Sequence, residues 1–139
     1  EAGTVNAAGA VGLAAAIQYL NTLGMENVHR AEQELTAYLI KGMQSIPHVH
    51  LLGSARPDNH TGIASFTVDR VHPHDISEIL SSDGIDIRAG HHCAQPLHQH
   101  LGIPSTARAS VMFYNTVAEV DRFLESVANI RKRMGFGDE

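Results

Sequence analysis

The segment GIDIRAGHHCAQPLHQHLGIPSTARASVMFY, Gly84 to Tyr114, frames the architecture. Ile85–Arg88 and Arg108–Tyr114 are apolar, β-prone runs that predict two strands. Gly84 predicts the end of a preceding helix. Between the strands lies a short polar turn, GHHCAQP, whose exit Pro96 restricts. Two strands joined without a long crossover helix favour antiparallel or mixed pairing.

Upstream of Gly84, HPHDISEILSSDG reads as a short helix with His72 and His74 flanking Pro73 at its start, where surface capping is the expected role. HVHLLG and GIASFTV read as strands with SARPDNHT as the loop between them. Before them, MENVHRAEQELTAYLIKGMQSI places Val28, Ala31, Leu35, Tyr38, Leu39 and Met43 on one side of an amphipathic helix that Pro47 stops. The first helix, AAGAVGLAAAIQYLNTLG, has Thr4 and Asn6 as candidate N-caps and Gly24 as its end. Its alanines and glycines imply close packing against another element. Downstream, TVAEVDRFLESVANIRKRM is a final helix with Val117, Val120, Phe123, Leu124, Val127 and Ile130 on one side, and Thr116 with Glu119 forms a capping box. The order is two helices, two strands, helix, strand, short turn, strand, helix. It predicts one α+β domain over residues 1–139, a small mixed or antiparallel sheet with helices on one face.

Composition narrows the function. The chain has 139 residues, a net charge of −5 and no basic stripe, which argues against nucleic acid and membrane surfaces as partners. Its single cysteine, Cys93, forms no internal disulfide, and a reducing cytosol is the default compartment. The longest apolar run is too short and too rich in glycine and alanine for a membrane span. The chain starts without methionine and runs at once into a helix, so it reads as a piece of a longer protein.

Cys93 has two readings. A free cysteine is commonly a small apolar core residue. Against this, its loop is polar, follows a strand end, and holds Arg88, His91 and His92, whose cationic forms would favour a thiolate. A metal site is the rival, because His91, His92, Cys93, His98 and His100 fall within ten residues. The spacing is poor for it: neighbouring residues rarely share one ion, and His98 and His100 equally fit a solvated helical turn. Arg108, at a strand start, is either a surface ion-pair partner or a bidentate carboxylate holder. Thr4 reads first as a helix cap, with phosphate binding as a second use.

At these residues the chain resembles the C-terminal part of a SufS-type cysteine desulfurase, a class V aminotransferase of fold-type I. EAGTVN is similar to that family's EAGTPN, RAGHHCAQPL to its cysteine loop, and ARASVMFYNT to its arginine strand. Val5 stands where the family usually has proline. The resemblance implies the small C-terminal domain of a pyridoxal-phosphate enzyme that takes sulfur from L-cysteine, yielding L-alanine and a persulfide for Fe–S cluster assembly. It implies Cys93 as nucleophile, Arg108 as holder of the substrate carboxylate, and Thr4 as a contact to the cofactor phosphate in the neighbouring subunit of a homodimer. Arg88 and His92 would shape the loop. A SufE- or SufU-like protein would collect the sulfur.

The family's Schiff-base lysine and pyridine-pairing acid lie upstream of the matching segment, and Lys41 and Lys132 match no cofactor motif. The chain alone is therefore expected to be inactive and to bind no pyridoxal phosphate. A selenocysteine lyase-like relative, a histidine-rich metal-binding or interaction module, and a plain dimerisation domain are the alternatives.

Overall fold

The computed structural model describes residues 2–136; Glu1 of the EAGTVN segment and the end of the GFGDE tail lie outside them. Helix α1 spans Ala7–Leu23 and α2 Met25–Gln44, followed by strands β1 (Val49–Leu51) and β2 (Ile63–Val68). A single 3₁₀ turn, Pro57–Asn59, lies in the loop between those strands. Then come α3 (Pro73–Ser82), β3 (Arg88–Gly90), α4 (Gln95–Leu101), β4 (Thr106–Ser110) and α5 (Val117–Arg133). The strands form one antiparallel sheet in the order β1-β2-β4-β3, as the α+β expectation required.

Alternation along the strands separates the two faces of the sheet. Ala64, Phe66 and Val68 of β2 and Ala107 and Ala109 of β4 are buried on one face. Leu35, Leu39, Ile40 and Met43 of α2, Ile76 and Leu80 of α3, and Val120, Phe123, Val127 and Ile130 of α5 complete that core. Phe66 and Phe123 meet edge-to-face with ring centroids 6.1 Å apart, a favoured aromatic geometry. The other face carries Ser65, Thr67, Thr106, Arg108 and Ser110, and none of the three long core helices covers it.

Several expectations are corrected. Thr4 caps nothing: Asn6 is the N-cap of α1, its Oδ1 accepting from the Gly9 amide at 2.9 Å. No residue of α1 is buried, so the packing partner expected for its small residues is not found among the described residues, and Val11, Leu13, Ile17 and Tyr19 are exposed. Tyr38 is exposed and donates its hydroxyl to Asp121 at 2.6 Å, while Ile40, absent from the predicted stripe, is fully buried. Val117, one residue inside α5, is exposed as well.

Both strands around the cysteine loop are shorter than predicted. Ile85–Ile87 stays outside β3, which instead runs on through Ala89 and Gly90 opposite Ala107 and Thr106, and β4 ends at Ser110. Val111 donates to the Gly62 carbonyl at 2.7 Å, and Asn115 then closes a turn through Met112. The expected turn after Cys93 contains a helix, α4, which tolerates Pro96 in its first turn and ends at left-handed Gly102.

Candidate functional site

The cysteine loop is the connection between neighbouring antiparallel strands. Register places Arg88 opposite Arg108, Ala89 opposite Ala107 and Gly90 opposite Thr106. On the other side of β4, Ser65 of β2 lies opposite Arg108. Since Ala107 and Ala109 point into the core, Arg108, Arg88 and Ser65 form a row on the uncovered face.

Two like charges opposite each other on neighbouring strands are unfavourable. Among the described residues no salt bridge reaches either arginine, and the Nε of Arg108 is buried with no hydrogen-bond partner. This arrangement suits an anion: a carboxylate could accept from the guanidinium in the fork geometry arginine favours. The surface ion-pair alternative for Arg108 is therefore not what the fold builds.

The loop is held in an uncommon conformation. Gly90 has φ of +127°, and His92 and Cys93 follow with +55° and +59°. Left-handed backbone costs a non-glycine residue about 1–2 kcal/mol, so two in succession need support. His92 supplies part of it: its Nε2 lies 3.1 Å from the carbonyl oxygen and 2.9 Å from Oγ1 of Thr106. Cys93 is exposed, so its reading as a small core residue is overturned.

His91 is exposed and His92 half-buried. Burial pushes the His92 imidazole below the ordinary histidine value, nearby Arg108, His98 and Arg88 push the same way, and its bond to Thr106 opposes them. His92 is thus neutral near pH 7, and its part in the loop is a hydrogen bond rather than the positive charge considered from sequence.

His98 overturns a second expectation. It is buried at 6% exposure, not solvated, with Nδ1 3.1 Å from the Ala94 carbonyl and Nε2 3.2 Å from Thr106 Oγ1. Sequence reading passed over Thr106 and took His98 only as a metal-ligand candidate or a solvated residue of a helical turn. The available signal was their spacing around α4, visible only if Gln95–Leu101 is read as a helix rather than a turn. His100 is exposed. Among the described residues, no three His, Cys, Asp or Glu side chains converge as a metal-holding group.

Thr4 is exposed, and no hydrogen bond joins it to Cys93, Arg88, His92 or Arg108. His72 caps α3, its Nδ1 accepting from the His74 amide at 3.3 Å. Lys41 and Lys132, the chain's two lysines, are exposed on α2 and α5, across the sheet from the arginine row.

Residues 1–123 match the family described as aminotransferase class-V. The chain belongs to that family. It is 41% identical over 135 residues to a probable cysteine desulfurase of Streptomyces coelicolor, covering 97% of this chain and 32% of the relative. It superposes on the apo structure of a cysteine desulfurase from Thermococcus onnurineus NA1 with a TM-score of 0.90 and 40% identity, over 96% of this chain and 33% of that one. A third likeness is to the C-DES K223A mutant, solved with glycine covalently linked to its PLP cofactor. There the TM-score is 0.69 and the identity 28%, over 85% of this chain and 28% of that one. The chain thus spans about a third of the length of the relatives it matches. No helix among the described residues is long and apolar enough to cross a membrane.

Proposed function

We propose that residues 1–139 form the small, substrate-facing domain of a SufS-type cysteine desulfurase that acts as a cytosolic homodimer. The observation that carries this reading is the β3–β4 register, which sets an unpaired arginine row beside the loop bearing the exposed thiol. In this reading Arg108 holds the carboxylate of L-cysteine, Arg88 adds positive charge along the same row, and Cys93 meets the substrate's sulfur. Arg88 and His92 shape the loop, His92 through its bonds to Thr106.

The balance of the reaction is simple. The Cys93 thiolate attacks the substrate sulfur; a sulfur–sulfur bond forms as the carbon–sulfur bond breaks. The electron pair stays on carbon, which is protonated, so L-cysteine and an enzyme thiol become L-alanine and an enzyme persulfide. Proximity and fixed orientation supply much of such a rate.

Pyridoxal phosphate, when bound to the whole protein, supplies the electron sink that this chemistry needs. The residues of this chain fit the substrate side of such a site but do not hold the cofactor by themselves. Neither lysine lies on the arginine face, and in the proposal the exposed Thr4 hydroxyl meets the phosphate of the neighbouring subunit's cofactor. The 139-residue chain alone is accordingly expected to be inactive.

A loop tied at His92 and His98 has little reach, which supports delivery of the sulfur to a docked SufE- or SufU-like acceptor on the way to Fe–S clusters. The test is Cys93→Ser in the full-length enzyme. Alanine release from L-cysteine should vanish while the cofactor's absorbance is retained, and the wild type should pass sulfur to an added acceptor. Full turnover by the variant would overturn the assignment. Turnover of selenocysteine alone by Cys93→Ser would reassign the substrate to the selenium compound.

A further inference from the structure

His98 is the one residue of α4 that is buried, and the reading above uses it only as a tie of the loop. Its two ring nitrogens face different groups. Nδ1 meets the Ala94 carbonyl at 3.1 Å, and a carbonyl can only accept, so Nδ1 carries the hydrogen. In the neutral ring Nε2 is then an acceptor, and the Thr106 hydroxyl donates to it across 3.2 Å.

With its hydrogen committed, the Thr106 oxygen accepts from His92 Nε2 at 2.9 Å. The Thr106 carbonyl, 3.1 Å from the same nitrogen, also only accepts, so His92 carries its hydrogen on Nε2. The remaining nitrogen, His92 Nδ1, is an acceptor in this tautomer, buried and without a partner. With both rings neutral, every proton in the chain of bonds follows from the two carbonyls, those of Ala94 and Thr106.

The bonds close a ring, because His92, Cys93 and Ala94 are consecutive residues. Its path runs from His92 along the backbone to Ala94, across to His98, on to Thr106 and back to His92. Cys93 is the only member without a hydrogen bond in it, and it sits between two anchored neighbours with its φ at +59°. We propose that His98, acting through the Thr106 hydroxyl, is a positioning residue that holds the Cys93 turn in its left-handed shape and so presents the thiol. This rests on the reading of Cys93 as the nucleophile, although the ring itself does not.

The test uses the full-length holoenzyme with His98→Leu, which removes the acceptor, and His98→Gln, whose amide can replace it. Thr106→Val and Thr106→Ser form a second pair should the leucine variant fail to fold. His98→Leu and Thr106→Val should lower kcat about tenfold or more while KM for L-cysteine, set at Arg108, stays within about twofold. His98→Gln and Thr106→Ser should recover most of the loss. Imidazole nitrogen NMR should show the hydrogen on Nδ1 of His98 and on Nε2 of His92. Amide exchange across residues 89–97 should quicken in the two disruptive variants only.

Wild-type kcat in both disruptive variants, equal impairment in all four variants, or a hydrogen on Nε2 of neutral His98 would each overturn the proposal. Should Cys93→Ser keep full turnover, the desulfurase reading fails instead, and the exchange and tautomer measurements still decide whether the ring exists.

Discussion

Arg108→Met should make this chain more stable while depriving the site of its carboxylate holder. Methionine keeps the apolar stem of the side chain and removes the guanidinium. Two penalties leave with it. The first is repulsion from Arg88 directly across the strands, on the order of 0.2–1 kcal/mol for such a pair. The second is the buried Nε that donates to nothing; an unsatisfied buried donor costs about 1–3 kcal/mol. Taking the lower half of each range, because the rest of the guanidinium is only half-buried, the gain is roughly 1–2.5 kcal/mol. For a chain this size that raises the melting temperature by about 3–10 °C. Most substitutions destabilise by about 1 kcal/mol, so the sign itself is diagnostic. Thermal melts at low salt and at about 1 M salt separate the two penalties, since screening removes the pairwise part and leaves the desolvation part. In the full-length enzyme the same change should cost at least about thirtyfold in kcat/KM for L-cysteine, the lower end for truncating a partner of a buried charged pair. A loss of stability of 1 kcal/mol or more in Arg108→Met would refute the reasoning, because Arg108 would then be a structural partner rather than an unpaired cation.

Gly62→Ala should destabilise by about 2–4 kcal/mol, measured by urea unfolding: its φ is +62° and a methyl would sit 2.6 Å from the Val111 carbonyl oxygen, at the point where β2 and β4 part. Thr116→Ala should cost about 1 kcal/mol in the same assay, since it dismantles the capping box in which Glu119 accepts from the Thr116 amide at 2.7 Å. Stability should also fall on acidification from the ordinary histidine range downward. Burial depresses the His92 pKa in the folded state, so below its unfolded value the unfolded chain binds the extra proton first. Unfolding midpoints between pH 7.5 and 5.5 should therefore slope less steeply in His92→Gln than in the wild type; identical slopes would show that the folded ring titrates freely.

Most of the fold was legible because its signals are local. The capping box of α5, the proline stop after α2 and the alternation of β2 are written in adjacent residues, and the structure has each of them. What was missed depends on partners distant in sequence. Ile87 and Val111 carry β-prone side chains yet lie outside β3 and β4, since strand limits are set by which backbone groups pair across strands and not by propensity alone. Helix α4 was hidden by its shortness and by Pro96, a residue that marks a turn as readily as a first helical turn. Tyr38 joined the apolar stripe by spacing, but its hydroxyl found Asp121 on α5, a contact that periodicity does not encode.

The site was legible in its motif residues and illegible in its support, for a related reason. Three features violate the rules that make a sequence foldable: a row of like charges at Arg88 and Arg108, two consecutive non-glycine residues in left-handed backbone, and a helix α1 with Val11, Leu13 and Ile17 exposed. The core behind the sheet shows no such conflict. Folding energetics alone would remove all three by single substitutions, so their coincidence needs another cause. The first falls on the two strands joined by the Cys93 loop and the second in that loop, and in the proposed reading each penalty corresponds to a group the chemistry uses: an unpaired cation for a carboxylate and a held turn for a thiol. His98 and Thr106 offset the second at the cost of two buried polar side chains. A reader of the sequence sees the cysteine and the arginines, which carry the chemistry. The residues that make their geometry tolerable look ordinary, because their value appears only when α4 brings His98 back onto β4.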